Sequence, residues 1–348
     1  MCQVPAMRIL LINTVALKSS VSWPPAPTSH LTDLMSTSTS LAMLSRLAIR
    51  DDQPVTEDSQ YGYVPQEAVA ILFLTLYGIS TILHVGQATY FRMWWLLPTA
   101  ALCGIGELIG WSGRLWSSIN PIANTPFTIQ ISTTIIAPTP LLAASFMIMA
   151  RIVERLGSSY SLLTPKWYTI LFLPCNIIAL VVQGVGGGMA SSASDLAGAN
   201  RGANVMLGGI AFQFVVIIVF SLLALDFTQR YIRDKPARTR TGNLETSAAR
   251  GALTPRLKFM LGALAFSTTV LFIRSVYRLI ELSGGWTGRI IRTEVYFNVL
   301  DGGMVTLAIF TLNFVHPGVF LQAAPSKAAD SEIKLQSYAS SREGEVSA

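Results

Sequence analysis

Charge is what this chain has least of. Only 13% of its 348 residues are Asp, Glu, Lys or Arg, against about 25% in a soluble domain. That is too little for a water-facing surface. With 51% hydrophobic residues and a mean hydropathy of +0.49, the composition is that of an integral membrane protein. Cysteine is scarce too: Cys2, Cys103 and Cys175 form no CxxC, and two of them sit in apolar segments. Neither a disulfide framework nor a zinc site is expected. His84 and His316 fall in apolar segments without a third histidine or an HExxH, so a zinc hydrolase centre within the membrane has no ligand set. Gln183-Gly-Val-Gly-Gly-Gly188 lacks the Gly-Lys-Ser/Thr ending of a phosphate loop. No nucleophile elbow or kinase motif set occurs either. No catalytic residue, metal, cofactor or ATP site is therefore expected.

What the chain does have is apolar runs close to the ~20 residues that cross a bilayer. They predict an all-α, seven-helix bundle with helices at about 67–90, 93–113, 127–150, 167–190, 204–227, 257–282 and 294–315. Pro138 and Pro140 fall in the third helix and Pro174 in the fourth, where neighbouring helices can satisfy the freed backbone groups. Gly106–Gly110 and Gly184–Gly188 have the small-xxx-small spacing of close helix packing. Residues 1–60 are rich in Ser, Thr and Pro and predict a disordered extracytoplasmic tail. A cleaved signal peptide around Met7–Ile12 is less well supported, because Asn13 interrupts its apolar core. A second disordered tail is expected at 321–348.

The net charge of +6 does not point to nucleic acid, because the basic residues lie between the apolar runs. Loops 151–166 and 228–256 hold ten of the 25, including Arg151, Arg155, Lys166, Arg230, Arg233, Lys235 and Arg250, whereas the approach to the first helix is acidic. By the positive-inside rule the N-terminus is outside and the C-terminus cytosolic, as an odd number of spans requires.

A few charges lie inside the apolar segments, and each costs roughly 2.5–3.5 kcal/mol near the bilayer centre. Arg274, Arg278 and Glu281 are spaced i, i+4 and i+7, so they share one face of the sixth helix. Glu107 and Arg114 share a face of the second helix, and Glu294 and Asp301 share one of the seventh. Gln130, Gln183 and Gln213 are polar positions of the third, fourth and fifth helices. With the predicted topology, three cations and four anions gather in the outer half of the bundle. Two readings are compatible: a salt-bridge network that locks the helices together, and a polar cavity open to the outer leaflet that receives an amphipathic head group.

The ordered set Tyr61-Gly-Tyr-Val-Pro65, Glu107-Leu-Ile-Gly-Trp-Ser-Gly-Arg114, Gln130, Ile136-Ala-Pro138, Gln183–Gly188, Gly208-Gly209, Gln213, Ile273–Glu281, Glu294, Asp301 and His316-Pro-Gly318 resembles the fungal RTA-like lipid-translocating exporters. It departs from them at Trp111-Ser112 and Gln66-Glu67, and the N-terminal extension has no counterpart. The resemblance implies a seven-helix protein of plasma or internal membranes, no enzyme, that exports or flops sphingoid long-chain bases and confers resistance to toxic lipids. Glu107, Glu281, Glu294 and Asp301 would receive the ammonium of such a base, with Arg114, Arg274 and Arg278 as their resting partners and Tyr277 and Gln130 as partners for its hydroxyls. The alternative is a seven-helix lipid sensor in membrane stress signalling. Against a G-protein-coupled receptor, Met149-Ala-Arg151 stands where an Asp-Arg-Tyr would end the third helix, and the seventh has no Asn-Pro-x-x-Tyr.

Overall fold

A computed structural model of the chain describes residues 59–237, 250–286 and 288–321. The expectations for the two tails, the signal-peptide reading included, fall almost wholly outside these residues. The described chain is helical throughout, with no strand among the described residues. Its main helices are α1 (Glu67–Tyr90), α2 (Leu102–Ile119), α3 (Asn124–Ile136), α4 (Pro138–Leu156), α5 (Pro165–Ser191), α6 (Leu196–Ile232) and α7 (Pro255–Ser283). The last rod comprises α8 (Glu294–Phe297), a wide π turn over Asn298–Gly303, and α9 (Met304–Phe314), followed by the short α10 (Pro317–Phe320).

Six helical stretches are long and apolar enough to cross a bilayer: Glu67–Tyr90, Asn124–Leu156, Pro165–Ser191, Leu196–Ile232, Pro255–Ser283 and Glu294–Phe320. They coincide with six of the seven expected segments. The expected segment 93–113 is also helical, running through a 3-10 turn at Trp94–Leu96 and a π turn at Leu97–Ala101 into α2, but it is not among the six. The reason is its two-faced composition. Leu102, Ile105, Ile109, Trp116 and Ile119 are exposed, while Glu107, Arg114, Ser117 and Ser118 are buried. An average over the helix merges the two faces.

Small residues set the spacing between helices. Gly106, Gly110 and Gly113 bring α2 against α3 and its junction with α4, so that a Cβ at Gly106 would lie 2.7 Å from that of Ala137. The second glycine run behaves differently from its sequence spacing. Gly188 faces open space, and it is Gly186 that meets α6 at Gly202 and Met206. The α3–α4 junction follows from Pro138, which lacks an N–H and leaves the Thr134 carbonyl without its helical donor.

Candidate functional site

That freed carbonyl is where the site begins. Arg274, on the inward face of α7, donates its Nη2 to the Thr134 oxygen and, at 3.3 Å, to the Ile135 oxygen. A buried guanidinium thus satisfies the Thr134 carbonyl that Pro138 leaves without a helical donor. Its Nε lies 2.8 Å from Asp301 Oδ1. One turn on, Arg278 donates Nε and Nη2 to the same carboxylate at 2.8 and 2.6 Å, a bidentate fork. It also donates Nη2 to Thr134 Oγ1 at 2.8 Å and Nη1 to Glu281 Oε2 at 2.7 Å. Tyr277 closes this group by donating its hydroxyl to Glu281 Oε1 at 2.7 Å.

Asp301 reaches both arginines from inside the π turn of the last rod. Widened turns of this kind often occur at functional sites, where they change which way a side chain points. The simple i, i+7 spacing would put Glu294 and Asp301 in the same environment, and the structure separates them. Glu294 instead accepts from Arg114 Nη2 at 3.0 Å and from the Gln66 backbone N–H at 2.9 Å, at a position where its side chain is 14% exposed. Phe297 joins the two groups, because the guanidinium of Arg114 lies 4.6 Å from its ring centre and that of Arg278 5.2 Å.

The chain before α1 packs over the Arg114 end of this network. Tyr63 accepts from Arg114 at 3.1 Å, and Tyr61 donates to Gln130 Oε1 at 2.9 Å and lies 3.2 Å from Ser117 Oγ. Burial pushes the Tyr61 phenol up to about 12, against the pull of the neighbouring Arg114 charge. It is therefore a neutral donor at any physiological pH. The space enclosed by Tyr61, Tyr63, Arg114, Gln130 and Glu281 is about 10 Å³, roughly one water. The polar cavity expected to receive a head group among the charges is closed in this structure.

The open space lies next to it. A cavity of about 680 Å³ sits between α7 and the last rod, lined by Ile273, Val276, Tyr277, Ile280, Glu281, Tyr296 and Leu300 among others. This size is typical of ligand sites, about 300–1,000 Å³. Its rim residues Ile273, Ile280 and Tyr296 are exposed, so the cavity opens sideways on an apolar surface. Glu281 lines both this cavity and the sealed space. It is the one carboxylate shared by the charge network and the lateral opening.

Three of the expected site residues stand apart. Glu107 is fully buried, and neither of its oxygens has a hydrogen-bond partner. It shares no hydrogen bond or ion pair with the three arginines among the described residues. Gln183 and Gln213 bond each other at 2.7 Å, and Gln213 donates to Thr139 Oγ1 at 3.2 Å. They tie α5 and α6 to α4, and no hydrogen bond links them to the arginines. Composition alone did not single out Tyr61, Tyr63, Thr134 or Phe297. The two tyrosines precede the first apolar run, and the other two residues carry no charge.

A family profile described as RTA1 like protein matches residues 100–324. The chain is 31% identical over 279 residues to the sphingoid long-chain base transporter RSB1 of Saccharomyces cerevisiae, covering 74% of this chain and 73% of that protein. It is 27% identical over 324 residues to the lipid-translocating exporter-like protein RTA1 of Leptosphaeria maculans, covering 85% of this chain and 58% of that one. A third relative, protoporphyrin uptake protein 1 of Saccharomyces cerevisiae, is 24% identical over 289 residues, with 73% and 90% covered. These names are those of transporters, exporters and uptake proteins, not of enzymes. No solved structure matches the chain.

Proposed function

The chain belongs to the RTA1-like family, and on that premise we propose that it carries long-chain cationic amphiphiles, sphingoid bases among them, across the bilayer without hydrolysing ATP. It is a multi-pass membrane protein. In this reading Trp94–Ile119 is a seventh span whose charged face is turned inward. The N-terminus is then outside, the C-terminus cytosolic, and the plasma membrane the working location. One observation carries the reading: Glu281 forms part of the wall of a lateral apolar cavity of about 680 Å³ and also belongs to the buried ion network. The aliphatic chain occupies the cavity from the lipid side. The ammonium meets Glu281 in exchange for Arg278 or Tyr277. Arg278 keeps Asp301 as a second partner, so the exchange does not leave it unpaired.

The experiment is export of a labelled sphingoid base from cells carrying empty vector, the native chain or Glu281→Gln at matched surface abundance. The native chain should raise export and the amide should return it toward the vector level. Equal export from native and amide would refute the role of Glu281. A native chain that binds the base but never raises export would instead be a lipid sensor, which the same cavity could serve.

A further inference from the structure

The opposite end of the bundle holds a second polar feature that the transport reading does not use. Arg151, near the end of α4, lines two cavities at once. One of about 600 Å³ lies beside Phe91, Arg155 and Pro317, and the other, of about 620 Å³, beside Met147, Thr164 and Lys166. Its guanidinium lies 4.5 Å from the centre of the Trp95 ring, which fixes a charge that would otherwise swing into water. No ion pair to Arg151, Arg155 or Lys166 occurs among the described residues, in contrast to Arg230 and Arg250, which pair with Asp226 and Asp234. Glu154 lines both cavities as well, leaving three cations against one carboxylate. The first turn of α5, whose Thr164 cap adds no side-chain bond, contributes its positive end to the second cavity.

We propose that this junction binds the phosphate-bearing head group of an anionic phospholipid. Arg151 would hold the phosphate, Lys166 and Arg155 would flank it, and the acyl chains would lie against the apolar outer surface of the bundle. Basic pockets between membrane helices take such head groups, with each Lys or Arg near the surface contributing about a fivefold change in affinity. A neutral or cationic lipid has no net attraction to the site. The inference does not depend on which lipid is transported, since it concerns the other end of the molecule.

The test is native mass spectrometry of the purified full chain with phosphatidylinositol 4-phosphate, with phosphatidylcholine, and with free inositol phosphate. Phosphatidylinositol 4-phosphate should remain bound where phosphatidylcholine does not. Lys166→Gln, an exposed site whose replacement leaves the fold intact, should weaken it about fivefold. Glu154→Gln should strengthen it by a similar factor, a change of sign that a purely structural role for these residues would not produce. Binding of free inositol phosphate as tight as the lipid would show an anion site with no lipid component, and would overturn the lipid assignment. Equal retention of both lipids, or no effect of either substitution, would overturn the site itself.

Discussion

Replacing Asp301 with Asn should be the most damaging single charge change in the bundle. The carboxylate is fully buried, accepts two hydrogen bonds from Arg278 and has Arg274 at 2.8 Å. The amide keeps one oxygen acceptor, loses the charge, and turns an N–H₂ donor toward two guanidinium groups. Removing one partner of a buried ion pair costs about 3–5 kcal/mol, and here two cations lose their shared partner, so the upper end applies. For a chain of 348 residues that corresponds to a fall in apparent melting temperature of roughly 7 °C, read by fluorescence-detected size exclusion in detergent. The double variant Asp301→Asn with Arg274→Gln removes one of the stranded cations. It should melt higher than Asp301→Asn alone, with a coupling of about 1–3 kcal/mol. If Asp301→Asn melts within about 2 °C of native, a surface-substitution effect, the arginine pair does not depend on this carboxylate. Strict additivity of the double variant would refute the shared-partner geometry.

Other perturbations read separate parts of the site. Arg274→Lys has a single point charge and cannot serve Asp301 and the Thr134 and Ile135 carbonyls together. It should cost about 1–3 kcal/mol in the same melting assay, whereas a lysine as stable as native would show that the carbonyl contacts carry no weight. Gly302→Ala puts a Cβ 2.5 Å from Trp111 and 3.1 Å from Phe73, whose rings stack at 4.2 Å. Overpacking of about 1–3 kcal/mol should follow, seen as a lower melting temperature and refuted by an unchanged one. Ile280→Trp fills the lateral cavity from an exposed rim position. Export should fall while stability stays within about 0.5 kcal/mol of native, and undiminished export would show that lipid does not use this opening.

The sequence revealed most about what is embedded in the membrane and least about what connects to what. Arg274, Arg278 and Glu281 stand on one helix face by spacing alone, and the structure finds all three in one network because a regular helix preserves that spacing. Glu294 and Asp301 have the same i, i+7 spacing, but the π turn that holds Asp301 widens the repeat, and Glu294 pairs with Arg114 while Asp301 pairs with Arg274 and Arg278. The partner of Arg274 was hidden for another reason. A carbonyl freed by Pro138 is a consequence of a missing N–H, which no hydropathy pattern registers. Gln183 and Gln213 carry the same polarity signal as Gln130, yet they bond each other and Thr139 Oγ1 rather than Tyr61. The lateral cavity lies between elements distant in sequence, and its Ile273, Val276, Ile280 and Leu300 read in sequence as ordinary lipid-facing surface.

In the proposed function this chain alone moves a cationic long-chain lipid past Glu281. Its most direct test is transbilayer movement of a fluorescent sphingoid base in liposomes reconstituted with purified protein. Native protein should move the base faster than protein-free liposomes. Glu281→Gln, which loses a charge-assisted contact of about 1.5–3 kcal/mol, should slow movement at least about tenfold while remaining folded. Movement no faster than in protein-free liposomes, or an amide variant as fast as native, would contradict the account.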